Sequence, residues 1–123
     1  MGNNYGFDLD GVLDKPAYAN LCNLLHASSH ENKIYVITGG LEDSGDWTEK
    51  ARIAYLDRLH IRYTQLVRCI APDYETIGIL KGEACKEFKI DVMWDDSEVY
   101  LQQILNISPE TKVFNPTEKQ IKE

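Results

Sequence analysis

Short apolar, β-prone runs alternate with stretches of helical period along this chain. The runs Asn4 to Asp8, Lys33 to Thr38, Leu66 to Ala71, Asp91 to Asp95 and Lys112 to Asn115 predict strands. In Ile34-Tyr35-Val36-Ile37 the apolar residues do not alternate with polar ones, which suits a strand covered on both faces. Between the strands, Asp14 precedes Pro16, which a first helical turn tolerates, and Ala17, Leu21, Leu24 and Leu25 are read as one helix face. A second helix is predicted to start at Asp46, with Glu49 three residues on as a capping box, and to turn Ala51, Tyr55 and Leu59 to the core. A third contains Ala84, Cys85 and Phe88, its start blurred by Gly78 and Gly82. A fourth follows Glu98, aligning Leu101 with Leu105. The tail after Pro116 is expected to fray.

Strands alternating with helices indicate an α/β domain whose central, five-stranded sheet is mainly parallel. The 123 residues suit one domain, 1–123, and 43% hydrophobic with 27% charged residues matches globular usage rather than a disordered or fibrous chain. The formal charge of −7 provides no basic footprint for gripping a nucleic-acid duplex, which favours small or weakly held substrates. Cys22, Cys69 and Cys85 are odd in number and form no CxxC pair, so they are read as reduced core residues. No run approaches the ~18 apolar residues of a membrane span, and aspartates interrupt the first 30 residues where a signal peptide needs an apolar run. The expectation is a cytoplasmic protein with no membrane partner.

Chemistry concentrates at the predicted strand ends, where open α/β sheets bind ligands. In FDLDGVLD the i, i+2 spacing puts Asp8 and Asp10 on one side of an extended segment, and Gly11 lets the chain turn at once. One carboxylate can attack while the other handles protons; taken alone, the same residues also fit a turn with a helix cap. In ITGG, Thr38 offers a hydroxyl and Gly39 and Gly40 let backbone N–H groups approach an anion. Asp95-Asp96 places two carboxylates side by side, which is costly unless they share a cation such as Mg²⁺ or one faces water. Lys81, read as preceding the third helix, supplies the ammonium that would balance clustered carboxylates and a phosphate.

The order of these pieces resembles the haloacid dehalogenase superfamily of phosphohydrolases: DxDG after strand one, Thr after strand two, Lys before a helix, and DD after the next strand. The resemblance runs from Asn4 to about Asn106. It implies a Rossmann-like three-layer sandwich and a Mg²⁺-dependent aspartyl-phosphate mechanism. Asp8 would be the nucleophile and Asp10 the acid and then the base. Thr38, Gly39 and Lys81 would hold the phosphate. Asp95 would ligate the metal beside the Asp8 carboxylate and the Asp10 main-chain carbonyl, with Asp96 assisting.

A finer resemblance is to the 3′-phosphatase domain of polynucleotide kinase, carried by VITGGLEDSGDWTEKARIAYLDRLHIRYTQLV, although Gly40 stands where that subgroup usually has Arg. The implied substrate is a phosphorylated small molecule, a nucleotide or a nucleic-acid 3′ end. The short connections Asp14 to Lys33 and Thr38 to Leu66 leave no room for a cap domain. A capless site draws specificity from a macromolecular substrate or from a neighbouring subunit, as in a homo-oligomer. The alternative, from another functional class, is a catalytically weak module of the same fold that binds phosphate or a partner protein.

Overall fold

The apolar runs form five strands, β1 (Asn4–Phe7), β2 (Lys33–Gly40), β3 (Gln65–Ile70), β4 (Val92–Trp94) and β5 (Lys112–Phe114). They pair in the order β3-β2-β1-β4-β5, every neighbouring pair parallel. The computed structural model describes residues 2–117; the expected fraying of the tail falls mainly on residues outside that range.

Because side chains alternate along a strand, β2 feeds two cores. Ile34 and Val36 pack with Phe7, Leu13, Cys22 and Leu56 on the side of helices α1 (Pro16–Ser28) and α2 (Glu49–Arg58). Tyr35 and Ile37 pack with Ile77, Cys85, Met93 and Ile104 on the side of α3 (Tyr74–Glu87) and α4 (Glu98–Ile107). The result is a three-layer α/β sandwich without a cap: α1 alone joins β1 to β2, and a short turn, Gly45–Trp47, leads into α2 between β2 and β3. From β1 the chain moves outward through β2 to β3, then crosses back to β4 on β1's other side. Ligands of open sheets bind at such a switch point, beyond the carboxyl ends of the strands.

The three cysteines are free and buried, and burial pushes the Cys69 thiol up to about 11 and those of Cys22 and Cys85 up to about 12. They are inert core residues, as expected.

The helices depart from the sequence reading in register. In α1, Ala17 and Leu24 are exposed, and the face on the core is buried Cys22 with the partly buried Tyr18, Leu21 and Leu25. α2 starts two residues late, because Thr48 rather than Asp46 caps it, its hydroxyl accepting from the Ala51 amide at 3.2 Å. Its most buried residues are Arg52 and Leu56, one position along from the expected face. α3 starts earlier than its glycines suggest. Asp73 caps it through the Thr76 amide, and Gly78 and Gly82 are packing residues: a Cβ on Gly82 would lie 2.9 Å from Ile107, and one on Gly78 would overlap the Gln103 amide. Lys81 therefore lies within α3 and not before it. Ser97, not Asp96, caps α4, leaving both aspartates at the end of β4 available for chemistry.

Candidate functional site

Three strands deliver the chemistry to the carboxyl edge. Asp8 directly follows β1, its amide bonded to the Trp94 carbonyl at 2.9 Å, and Asp95 directly follows β4, its amide bonded to Phe114. Thr38 lies two residues inside the end of β2, paired with Arg68 of β3. Gly11, at φ +85°, turns the chain after Asp10; a Cβ there would also run into the Asp96 carboxylate.

Lys81 reaches this edge from α3, with 1% of its surface exposed. Its Nζ donates to Asp95 Oδ2 at 2.7 Å and to Asp8 Oδ1 at 3.1 Å, and stands 4.6 Å from the centre of the Tyr100 ring. A Cβ on Gly39 would lie 2.5 Å from Ile77 and 3.5 Å from the Lys81 chain, so glycine here lets α3 pack close to β2. The Ser97 amide fills Asp95 Oδ1 at 3.0 Å. Each Asp95 oxygen thus accepts one hydrogen bond and keeps a lone pair for a further ligand, while Asp8 keeps Oδ2 free of hydrogen bonds among the described residues.

Burial disfavours a charged Lys81, yet the adjacent Asp8 and Asp95 carboxylates hold its ammonium above the ordinary lysine value. Asp8 moves the opposite way from most paired carboxylates. Desolvation raises it, Lys81 opposes, and the crowding negative charges of Asp95 and Asp96 add to the rise, leaving it at about 7. The site contains more buried negative charge than one ammonium balances.

That surplus fits a cation. One oxygen each from Asp8, Asp95 and Asp96 lies within 4.8 Å of the others, an all-oxygen set of the kind that hard divalent ions take, so these three could hold a metal ion. Near the end of β2, Thr38 is 2% exposed and its hydroxyl has no hydrogen-bond partner among the described residues, a donor without an acceptor. A cavity of about 270 Å³, lined by Asp8, Asp10, Gly39, Lys81, Asp96 and Tyr100, opens here. A larger one of about 700 Å³ lies among Lys89, Ile90, Ser108 and Thr111, at the amino ends of β4 and β5, away from these groups.

Asp10 is placed differently. Its side chain is 47% exposed, and Oδ2 accepts from Arg52 Nη1 at 3.0 Å. Arg52 is itself buried. Its Nε donates to the Asp46 carbonyl at 2.9 Å, and its guanidinium lies 4.9 Å from the Trp47 ring and 5.3 Å from that of Tyr55. Of the residues singled out from sequence, Asp8, Lys81, Asp95 and Asp96 therefore meet, Gly39 lines the same cavity and Thr38 is buried near the end of β2, while the Asp10 carboxylate turns to a partner the sequence reading passed over. Arg52 and Tyr100 were both missed. The one available signal for Arg52 was its i, i+4 spacing to the apolar Leu56 on α2.

No helix among the described residues is long and apolar enough to cross a membrane. No protein-family model matches the chain, and no curated protein does either. Among solved structures, the fold is similar to a chain in the Pnkp1/Rnl/Hen1 RNA repair complex, with a TM-score of 0.61 at 17% identity over 93% of this chain. The match covers 42% of that chain, so this protein spans less than half of its neighbour's length and shares with it an α/β fold.

Proposed function

We propose that the chain is a Mg²⁺-dependent phosphomonoesterase of the haloacid dehalogenase type, working through an aspartyl phosphate. The observation that carries this reading is Asp8: buried, one oxygen on Lys81 and the other free, beside a three-carboxylate cluster. Lys81 and the unpartnered Thr38 hydroxyl, with the Gly39 backbone, would hold the phosphoryl group. Asp8 attacks phosphorus, the bond to the ester oxygen breaks, and Asp10 gives that oxygen its proton. Water then attacks the same phosphorus, Asp10 takes a proton back, and the bond to Asp8 breaks to release phosphate. Held by Asp8, Asp95 and Asp96, with the Asp10 main-chain carbonyl as a further ligand, Mg²⁺ would offset the negative charge of the phosphoryl oxygens.

The RNA repair complex that contains the structural neighbour supports a nucleotide or nucleic-acid end as substrate, and the sequence resemblance makes it a 3′ end. The net charge of −7 favours a short end over a long duplex grip. The test is phosphate release from p-nitrophenyl phosphate and from 3′-phosphorylated oligonucleotides with Mg²⁺, with excess EDTA, and with Asp8→Asn. Turnover should require the cation and fall about a thousandfold or more in Asp8→Asn. Full activity in EDTA, or in Asp8→Asn, overturns the mechanism; phosphate binding without turnover by the wild type would favour the catalytically weak module.

A further inference from the structure

Asp10 lines two cavities. Besides the one it shares with Asp8 and Lys81, it borders a second, of about 200 Å³, walled by Asp46, Ala51, Arg52, Tyr55 and Arg58. The two sets of walls have no other residue in common. If Asp10 protonates the ester oxygen, the phosphoryl group lies on its Lys81 side and the departing alcohol extends past it. The second cavity is then where that alcohol goes.

Its walls describe the alcohol. Arg52 is committed, its Nη1 to Asp10 and its Nε to the Asp46 carbonyl. The Asp46 carboxylate and the Arg58 guanidinium make no hydrogen bond or ion pair among the described residues, and Arg58 only leans on the Tyr55 ring at 5.3 Å. One wall therefore offers an unused acceptor and another an unused donor. A second phosphoryl group could pair with Arg58 but would leave the Asp46 carboxylate facing it unmatched, and an apolar aryl group would use neither wall. A hydroxyl both donates and accepts, so a polyhydroxylated ring uses both. The volume, about six or seven waters' worth, leaves room for one such ring.

We infer that this cavity is a leaving-group subsite for the sugar of a sugar-borne phosphomonoester, with Asp46 and Arg58 as its specificity-determining residues. The inference rests on the phosphatase reading for its orientation, but binding can be tested apart from turnover. In the Asp8→Asn protein with Mg²⁺, amide NMR shifts are followed on adding uridine 3′-monophosphate, ribose 5-phosphate or inorganic phosphate. The sugar phosphates should move Ala51 and Tyr55, and inorganic phosphate should move only Gly11 and Gly39. A larger response to the nucleotide assigns the source as a nucleoside, and an equal one a free sugar phosphate. In active protein, Asp46→Ala and Arg58→Gln should each lower the ratio of kcat/KM for the preferred sugar phosphate over p-nitrophenyl phosphate about tenfold. Movement at Ala51 and Tyr55 with no turnover of any ester would sink the phosphatase reading and leave the subsite standing. Turnover with those amides still, or an unchanged ratio in both variants, overturns the subsite.

Discussion

The two acidic residues of the β1 turn, two positions apart, sit in opposite surroundings. Asp8 is 7% exposed, shares Lys81 with Asp95 and is pushed up to about 7. The Asp10 side chain is 47% exposed and held by one guanidinium at the rim between two cavities. Burial makes the first pair rigid and dry, where each charge costs heavily unless balanced. Partial exposure leaves Asp10 room to exchange partners. Under the proposed mechanism the first environment would suit the nucleophile, and the second the group that gives and then takes a proton.

The strongest way to break this contrast is to remove its cation. Lys81→Met leaves Asp8 and Asp95 buried without a counter-charge, so unfolding free energy should drop by about 3 kcal/mol or more. Equilibrium denaturation measures it, and a loss under about 1 kcal/mol would mean that the ammonium is not the balancing charge.

Next comes the division of labour. Asp10→Asn should slow alkyl phosphates by about a hundredfold or more while costing aryl phosphates far less, because a phenolate leaves without full protonation. Stability should fall by about 1 kcal/mol at most, because Asp10 is half exposed and the asparagine oxygen can still accept from Arg52. Equal losses on both substrates, with release of phosphate from the enzyme shown not to limit either, would remove Asp10 from the acid role.

The raised Asp8 makes a signed pH prediction. Its folded value of about 7 lies above the 3.8 of a free aspartate, so between those values the folded state holds a proton that the unfolded chain has lost. In EDTA this contribution to stability is present at acid pH and lost as pH rises towards 7. Millimolar Mg²⁺ should restore stability at neutral pH by binding only the folded state. Denaturation of wild type and Asp8→Asn at pH 5 and 7.5, with and without Mg²⁺, isolates it. Parallel curves for the two proteins would show that Asp8 does not carry the shift.

The smallest effect belongs to the rim pair. Arg52→Gln should cost about 1 kcal/mol, discounted for the solvent that reaches Asp10, whereas Arg52→Lys should recover part of it. If Arg52→Gln destabilised as much as Lys81→Met, the two environments would not differ as described.

Much of this site was legible because a strand has a period of two and ends abruptly. Once β1, β2 and β4 were placed, Asp8, Thr38 and Asp95 followed at their carboxyl ends, and the three-layer parallel sheet followed from the alternation of strands and helices. Helix faces were less legible. Thr48 and Asp46 both offer a cap, and α2 docks with Arg52, not Ala51, turned inward against Asp10. Gly78 and Gly82 read as breakers until α4 packs against them, which hid that Lys81 is a helix-interior residue.

The sequence alone determined which groups are near the chemistry, since backbone geometry within a strand–turn unit is local. Tertiary structure alone decided which charges pair. Lys81 with Asp8 and Arg52 with Asp10 join residues 73 and 42 positions apart. Such contacts are set by how α3 and α2 dock on the sheet, and no local period encodes that. Even the different environments of Asp8 and Asp10 are a result of that docking, because desolvation depends on what covers a side chain rather than on its neighbours in sequence.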